Sequence, residues 1–171
     1  MTDGVLSTGG RRPTVRLERV LRDPPSVVWR ALTEPDELAG WFPCGVRLDE
    51  GGSWSVGARL TFSFPATEVD LTLTGEVLEV DPPHVLAYTW GDDVLRFELA
   101  PEGAGTRLTL VNELDAAAAA RNAAGWEVCL DRLEGVGEGA PWWPRFEAYR
   151  SRFEPLLGVT QEGPPAGHAQ G

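Results

Sequence analysis

Back-to-back prolines at Pro82 and Pro83 interrupt a strand-like run, GEVLEVDPPHVLAYTW, over residues 75–90. Neither ring nitrogen can donate to a sheet ladder, so the first strand must stop there and the chain must turn back. The return strand has period two. Leu86, Tyr88 and Trp90 fall on one face, and Val85, Ala87 and Thr89 on the other. Large aromatics along one side of a strand need a bulky element, or a cavity, opposite them.

The same alternation extends along most of the chain. Val15 to Arg22 reads as a strand with Val15, Leu17 and Leu21 on one face. Strand and turn continue from Gly45 to Leu114: Leu60, Phe62 and Phe64 alternate, as do Leu95, Phe97 and Leu99, then Leu108, Leu110 and Asn112. Short connections between six or seven such runs predict an antiparallel sheet. Between the first strand and the rest, Asp23-Pro24-Pro25 supplies a cap and first-turn prolines for a short helix through Leu32. Thr33-Glu34-Pro35-Asp36 reads as a capping box opening a second, ending near Gly40.

After Leu114 the period changes. Asp115 is a plausible cap for an alanine-rich helix reaching Leu133, with Trp126, Cys129, Leu130 and Leu133 in one apolar stripe. Glu127, Asp131, Arg132 and Glu134 are assigned to the opposite, polar side. Gly125 costs this helix about 1 kcal/mol relative to alanine, which points to a close backbone approach or room for a ligand. A last helix, Pro144 to Leu157, carries Phe146, Tyr149 and Phe153. One domain over residues 13–158 is expected, between disordered tails at 1–12 and 159–171.

Charge narrows the partners. A formal net charge of -11 argues against nucleic acid and against an anionic membrane surface. No apolar run is long enough to span a membrane, and no secretory signal opens the chain, so a cytoplasmic location is expected. The chain has no lysine and no isoleucine, a bias of GC-rich, bacterial coding sequence. Cys44 and Cys129 are too few for a disulfide framework and read as buried thiols.

Several short motifs stand in a telling order: Glu18-Arg19, Pro24-Pro25, Val28-Trp29, Ala31-Leu32-Thr33, Trp41-Phe42, and Gly75 through Pro83. Tyr88-Thr89-Trp90, Gly105 through Leu110, Gly125-Trp126 and Leu130 through Leu133 complete it. In this order, over residues 14–155, the chain resembles proteins related to the activator of heat-shock protein 90 ATPase, within the START-like, or SRPBCC, superfamily. The resemblance implies an α+β helix-grip fold: a curved antiparallel sheet of six or seven strands wrapped around a long C-terminal helix, with two short helices after the first strand. It also implies a deep, mostly apolar cavity between sheet and helix. The chain departs from the family where a histidine often follows the GTRLTL strand; Asn112 stands there. It also has no room for the founding co-chaperone's chaperone-binding domain, so contact with a chaperone is not expected.

The residues that would line such a cavity are Trp41, Trp54, Phe62, Phe64, Tyr88, Trp90, Phe97, Asn112, Trp126, Cys129 and Leu130. For each aromatic, ordinary core packing is the competing reading. As a group they suit a pocket with few polar groups. Asn112 either orients a ligand or bonds a neighbouring backbone group. Arg19 shares the inward face of its strand, with Glu113 or Glu98 as partners, although exposure at the sheet edge is expected. Trp142-Trp143 reads as an anchor holding the last helix to the back of the sheet, or as a flap.

Catalytic constellations are missing. The histidines are His84, in the proline turn, and His168, in the tail, so no histidine-based triad can form. No phosphate loop, metalloprotease motif or Cys-x-x-Cys occurs. No cofactor and no metal is expected. The chain is therefore expected to bind a small hydrophobic or amphipathic ligand. The alternatives are a cyclase or dehydratase using Tyr88, Glu76 or Glu113, and an interaction protein, with a homodimer left open.

Overall fold

A computed structural model describes residues 4–64, 71–136 and 141–163. Eight described strands form one antiparallel sheet: β1 (Val5–Ser7), β2 (Thr14–Leu21), β3 (Gly45–Leu48), β4 (Arg59–Ser63), β5 (Thr72–Asp81), β6 (Val85–Trp90), β7 (Asp93–Glu102) and β8 (Gly105–Glu113). Their order across the sheet is β1-β2-β8-β7-β6-β5-β4-β3. The sheet is curved, and the architecture is the α+β helix-grip. The count exceeds the expected six or seven because β1 and β3 are short strands at the two edges.

The proline pair acts as anticipated. β5 ends at Asp81, the Pro82–Pro83 peptide is cis, and the His84 N–H closes the turn on the Asp81 carbonyl at 2.6 Å. Register then brings the apolar sets together on the concave face. Leu86 lies opposite Phe97, Tyr88 opposite Leu95, and Trp90 opposite Asp93. Leu95 in turn faces Asn112, Phe97 faces Leu110, and Leu110 faces Leu17. Gly75 is required by close approach: a Cβ there would land on the Thr89 carbonyl oxygen and 2.8 Å from the Phe62 ring.

Two short helices, α1 (Pro25–Thr33) and α2 (Pro35–Leu38), follow β2 as expected, each with a proline in its first turn. Neither has the anticipated side-chain cap. Asp23 gives its carbonyl to the Thr106 hydroxyl at 2.7 Å, and the Thr33 hydroxyl turns back to the Trp29 carbonyl at 2.8 Å. The residue at the N-cap of α2 is Glu34, and Thr33, its side chain turned back along α1, lies one position too early. Asp115 does cap, accepting the Ala117 N–H at 2.9 Å, but it opens a 3-10 turn over Ala116–Ala118.

The long helix α3 (Ala119–Glu134) follows, with Trp126, Cys129 and Leu130 buried towards the sheet and Leu133 half-buried. Helix α4 (Trp142–Leu157) then packs on α3, not on the back of the sheet. The tryptophan pair opens that helix, and Trp142 stacks on Phe146 with ring centroids 5.0 Å apart.

This second helix overturns the polar side assigned to α3. Glu127 is 1% exposed, because α4 covers it and brings Arg145 and Tyr149 alongside. Gly125 likewise faces α4, since a Cβ there would meet only the Trp142 indole nitrogen, at 4.0 Å. It makes no room for a ligand beneath the sheet. Arg19 is not exposed at a sheet edge; it points inward to Asp131 at 3.7 Å and Glu134 at 3.2 Å on α3, rather than to Glu113 or Glu98.

Both segments read as tails contribute structure. β1 pairs with β2, and the Gly4 N–H donates to the Tyr149 hydroxyl at 2.8 Å. Gln161 is buried: its side-chain oxygen accepts the Ala120 N–H at 2.8 Å and its amide donates to the Ala116 carbonyl at 2.9 Å. A glutamine distant in sequence thus satisfies orphan groups at the start of α3. His168 and the rest of 164–171 lie outside the described residues. Among the described residues no helix is long and apolar enough to cross a membrane.

Two expectations follow from the α3–α4 contact. Gly125→Ala should stabilise the fold by about 1 kcal/mol, measured by denaturant unfolding, because the methyl meets nothing closer than ordinary contact. Burial raises the Glu127 carboxyl above its usual 4.5, although Tyr149 and Arg145 pull it back down. The folded state therefore holds this proton where the unfolded chain has released it, and stability must fall as pH rises from 4.5 through the raised value. Unfolding curves at stepped pH should show that slope in the wild type and a flatter one in Glu127→Gln.

Candidate functional site

The concave face carries a continuous aromatic cluster. Phe62 stacks on Tyr88 at 5.8 Å, Tyr88 meets Phe97 at 6.0 Å, and Phe97 meets Trp41 edge-on at 6.2 Å. From the helix side, Trp126 reaches Trp90 at 5.5 Å and Phe42 at 5.6 Å, and Phe64 leans on Trp90 at 6.0 Å. Trp41, Phe62, Tyr88, Phe97, Trp126, Cys129 and Leu130 are buried in this one core, while Trp54, Phe64 and Trp90 pack against it half-exposed. The fold thus gathers the eleven anticipated residues around one interior, and the side chains there touch one another. Phe42, which was not among them, sits at the centre of the cluster; its place directly after Trp41 was the available signal.

Asn112 is fully buried and lies where sheet and helix meet. Its carbonyl oxygen accepts the Trp126 indole N–H at 3.0 Å and an Asn122 amide proton at 3.2 Å. Because that oxygen faces a donor-only indole, the Asn112 amide group must face the other way. It donates to the Glu113 carbonyl at 3.1 Å, with longer contacts at 3.4 Å to the Val94 carbonyl and the Asp93 carboxylate. Of the two roles open to Asn112, the structure places it in bonds to the protein itself.

The residues considered for acid–base work do not converge. Tyr88 is sealed in the core, where burial holds its hydroxyl well above the usual range. Glu76 is exposed on β5, and Glu113 sits half-buried at the end of β8. Burial also pushes both thiols, Cys44 and Cys129, up to about 12, which leaves them protonated and inert as nucleophiles.

Open space lies beside the cluster. A cleft of about 640 Å³ runs between α1–α2 and the edge strand β3. Leu38, Val46, Leu48, Pro35 and Trp54 provide its apolar walls, with Glu34 and Arg47 at its rim. The Trp54 indole N–H donates to the Thr33 carbonyl at 2.8 Å, and its ring meets Tyr88 at 5.8 Å. Trp54 therefore joins the cleft to the aromatic interior, and it alone of the anticipated residues lines this space. A second cleft of about 660 Å³, between the end of β2, α1 and the end of α3, has a rim of both charge signs.

Residues 22–138 match the family model described as Activator of Hsp90 ATPase homolog 1-like protein. None of the curated proteins matches the chain. Among solved structures, a conserved protein of unknown function from Enterococcus faecalis is 24% identical over 90% of this chain and 91% of its own, with a TM-score of 0.74. CalU16 from Micromonospora echinospora is 22% identical over 92% and 99%, with a TM-score of 0.69. DynU16, a protein of the dynemicin biosynthetic locus, is 24% identical over 75% of this chain and 49% of its own, with a TM-score of 0.60. These likenesses establish the fold.

Asn112→Ala should cost about 3 kcal/mol in denaturant unfolding, because it strands the buried Trp126 N–H. A loss below about 1 kcal/mol would mean that the helix-to-sheet bond is not limiting.

Proposed function

The chain belongs to the Activator of Hsp90 ATPase homolog 1-like family, and we propose that it binds a small hydrophobic or amphipathic ligand in the cleft between α1–α2 and β3. The observation that carries this reading is an apolar-walled space of about 640 Å³ with Trp54 at its inner end. That volume falls within the usual range for small-molecule sites, which bury most of a ligand's surface against apolar walls. Each Å² of apolar ligand surface removed from water contributes about 25 cal/mol. Glu34 and Arg47 at the rim give a polar end of the ligand something to meet while its apolar end sits on Leu38 and Trp54. DynU16 belongs to a biosynthetic locus, in keeping with small-molecule work on this fold.

The test uses an environment-sensitive apolar dye, 1-anilinonaphthalene-8-sulfonate, as the probe. Wild-type protein should bind it saturably. Val46→Trp, which places a large ring in the cleft from a half-buried edge position, should weaken binding at least tenfold with an unchanged circular dichroism spectrum. Equal binding by both proteins would remove the cleft from consideration. Native mass spectrometry of freshly purified protein should also show a co-purified small molecule that Val46→Trp lacks.

A further inference from the structure

The second cleft, of about 660 Å³, shares no lining residue with the Trp54 cleft. The end of β2, the two short helices and the last turn of α3 each supply part of its wall. Val27 and Leu133 are half-buried there, whereas Val20 and Val136 are 57% and 58% exposed. Scattered singly, exposed valines mean little. Here two of them border one concave space.

Charge surrounds the same space without being matched. Arg22, just beyond β2, and Arg132, on α3, contribute guanidinium groups. Asp23, ahead of α1, and Asp36 and Glu37, on α2, contribute carboxylates. Among the described residues none of these five has an opposite charge within 4.0 Å. The remaining acid of the wall, Glu134, is already held by Arg19 at 3.2 Å. Water screens opposite charges at such separations, so the side chains do not close on one another. The unmatched signs limit what the cleft can take. An anion alone would have Asp36 and Glu37 against it, and a cation alone would have both arginines. A zwitterion answers both, and an apolar body between its charges would cover the valines.

We propose that this second cleft binds a short apolar peptide by its free termini. Such a peptide carries an ammonium, a carboxylate and apolar side chains between them, in a molecule suited to a site of this volume. Its carboxylate meets Arg22 and Arg132, whose planar guanidinium groups match a carboxylate with paired N–H donors. Its ammonium meets Asp36 and Glu37. Its side chains cover Val20, Val27 and Val136, which contributes affinity with little regard to sequence. Selection rests on the termini, because a blocked end would leave charges of the wall unanswered. The site is independent of the Trp54 cleft and of the ligand assigned to it.

The probes are the dipeptide Leu-Leu, its N-acetyl derivative and its C-terminal amide, which keep the apolar body and remove one charge each. Nitrogen-15 titrations of the full chain should shift the Val20 and Val136 amide resonances. Leu-Leu should bind at least tenfold more tightly than either blocked form, the scale of one charge-assisted hydrogen bond. The double variant Arg22→Gln with Arg132→Gln should abolish the preference for a free carboxylate and keep that for a free amine. Asp36→Asn with Glu37→Gln should do the reverse. None of these four side chains makes a hydrogen bond or ion pair among the described residues, so both double variants should fold. Val46→Trp should leave all three affinities unchanged, since it lies in the other cleft. Equal binding of the three probes, preferences that survive both double variants, or motionless Val20 and Val136 resonances at millimolar Leu-Leu would overturn the site.

Discussion

A buried hydrogen bond from the Trp126 indole to the Asn112 carbonyl ties the long helix to the sheet, and the Asn122 amide adds a second to the same oxygen at 3.2 Å. Apolar packing alone tolerates small rotations of a helix over a sheet, because dispersion is nearly indifferent to direction. A buried donor–acceptor pair is not indifferent, since losing it strands two polar groups. The bond therefore fixes the rotation of α3. That rotation directs Trp126, Cys129 and Leu130 to the core and leaves Glu127 facing outward to meet α4. It also orients the Asn112 amide towards Asp93. Core, helix pair and polar corner share one geometric reference.

Helix α4 completes what α3 leaves open. A charged residue on the outer side of a helix normally meets water, yet here a second amphipathic layer covers it. Arg145 resolves part of the resulting cost by reaching Asp131 at 2.6 Å and approaching Glu127 at 3.9 Å. One oxygen of Glu127 remains without a hydrogen bond. The same helix brings Phe146, Tyr149 and Phe153 into the core.

What the chain reveals before folding depends on the range of the physics involved. The proline stop, the inward set of Leu86, Tyr88 and Trp90, and the Trp126 stripe follow from local stereochemistry and period, and these were legible. Alternation places Arg19 on the inward face, but its ion pairs with α3, the burial of Glu127 and the capping of α3 by Gln161 depend on partners far off in sequence, which no periodicity names. The cleft was not legible for a related reason. Alternation shows which side chains point inward but not whether they leave space, and here the aromatics occupy the interior while room opens beside Trp54.

Gln161 has a temporal corollary. The Ala120 N–H finds its acceptor only in a residue made 41 positions later. During synthesis from the N-terminus, α3 must wait with a ragged first turn after the whole sheet has emerged from the ribosome. Closure of that turn is accordingly a late step, and a nascent chain halted before residue 161 would carry a frayed start to the very helix its core is built upon.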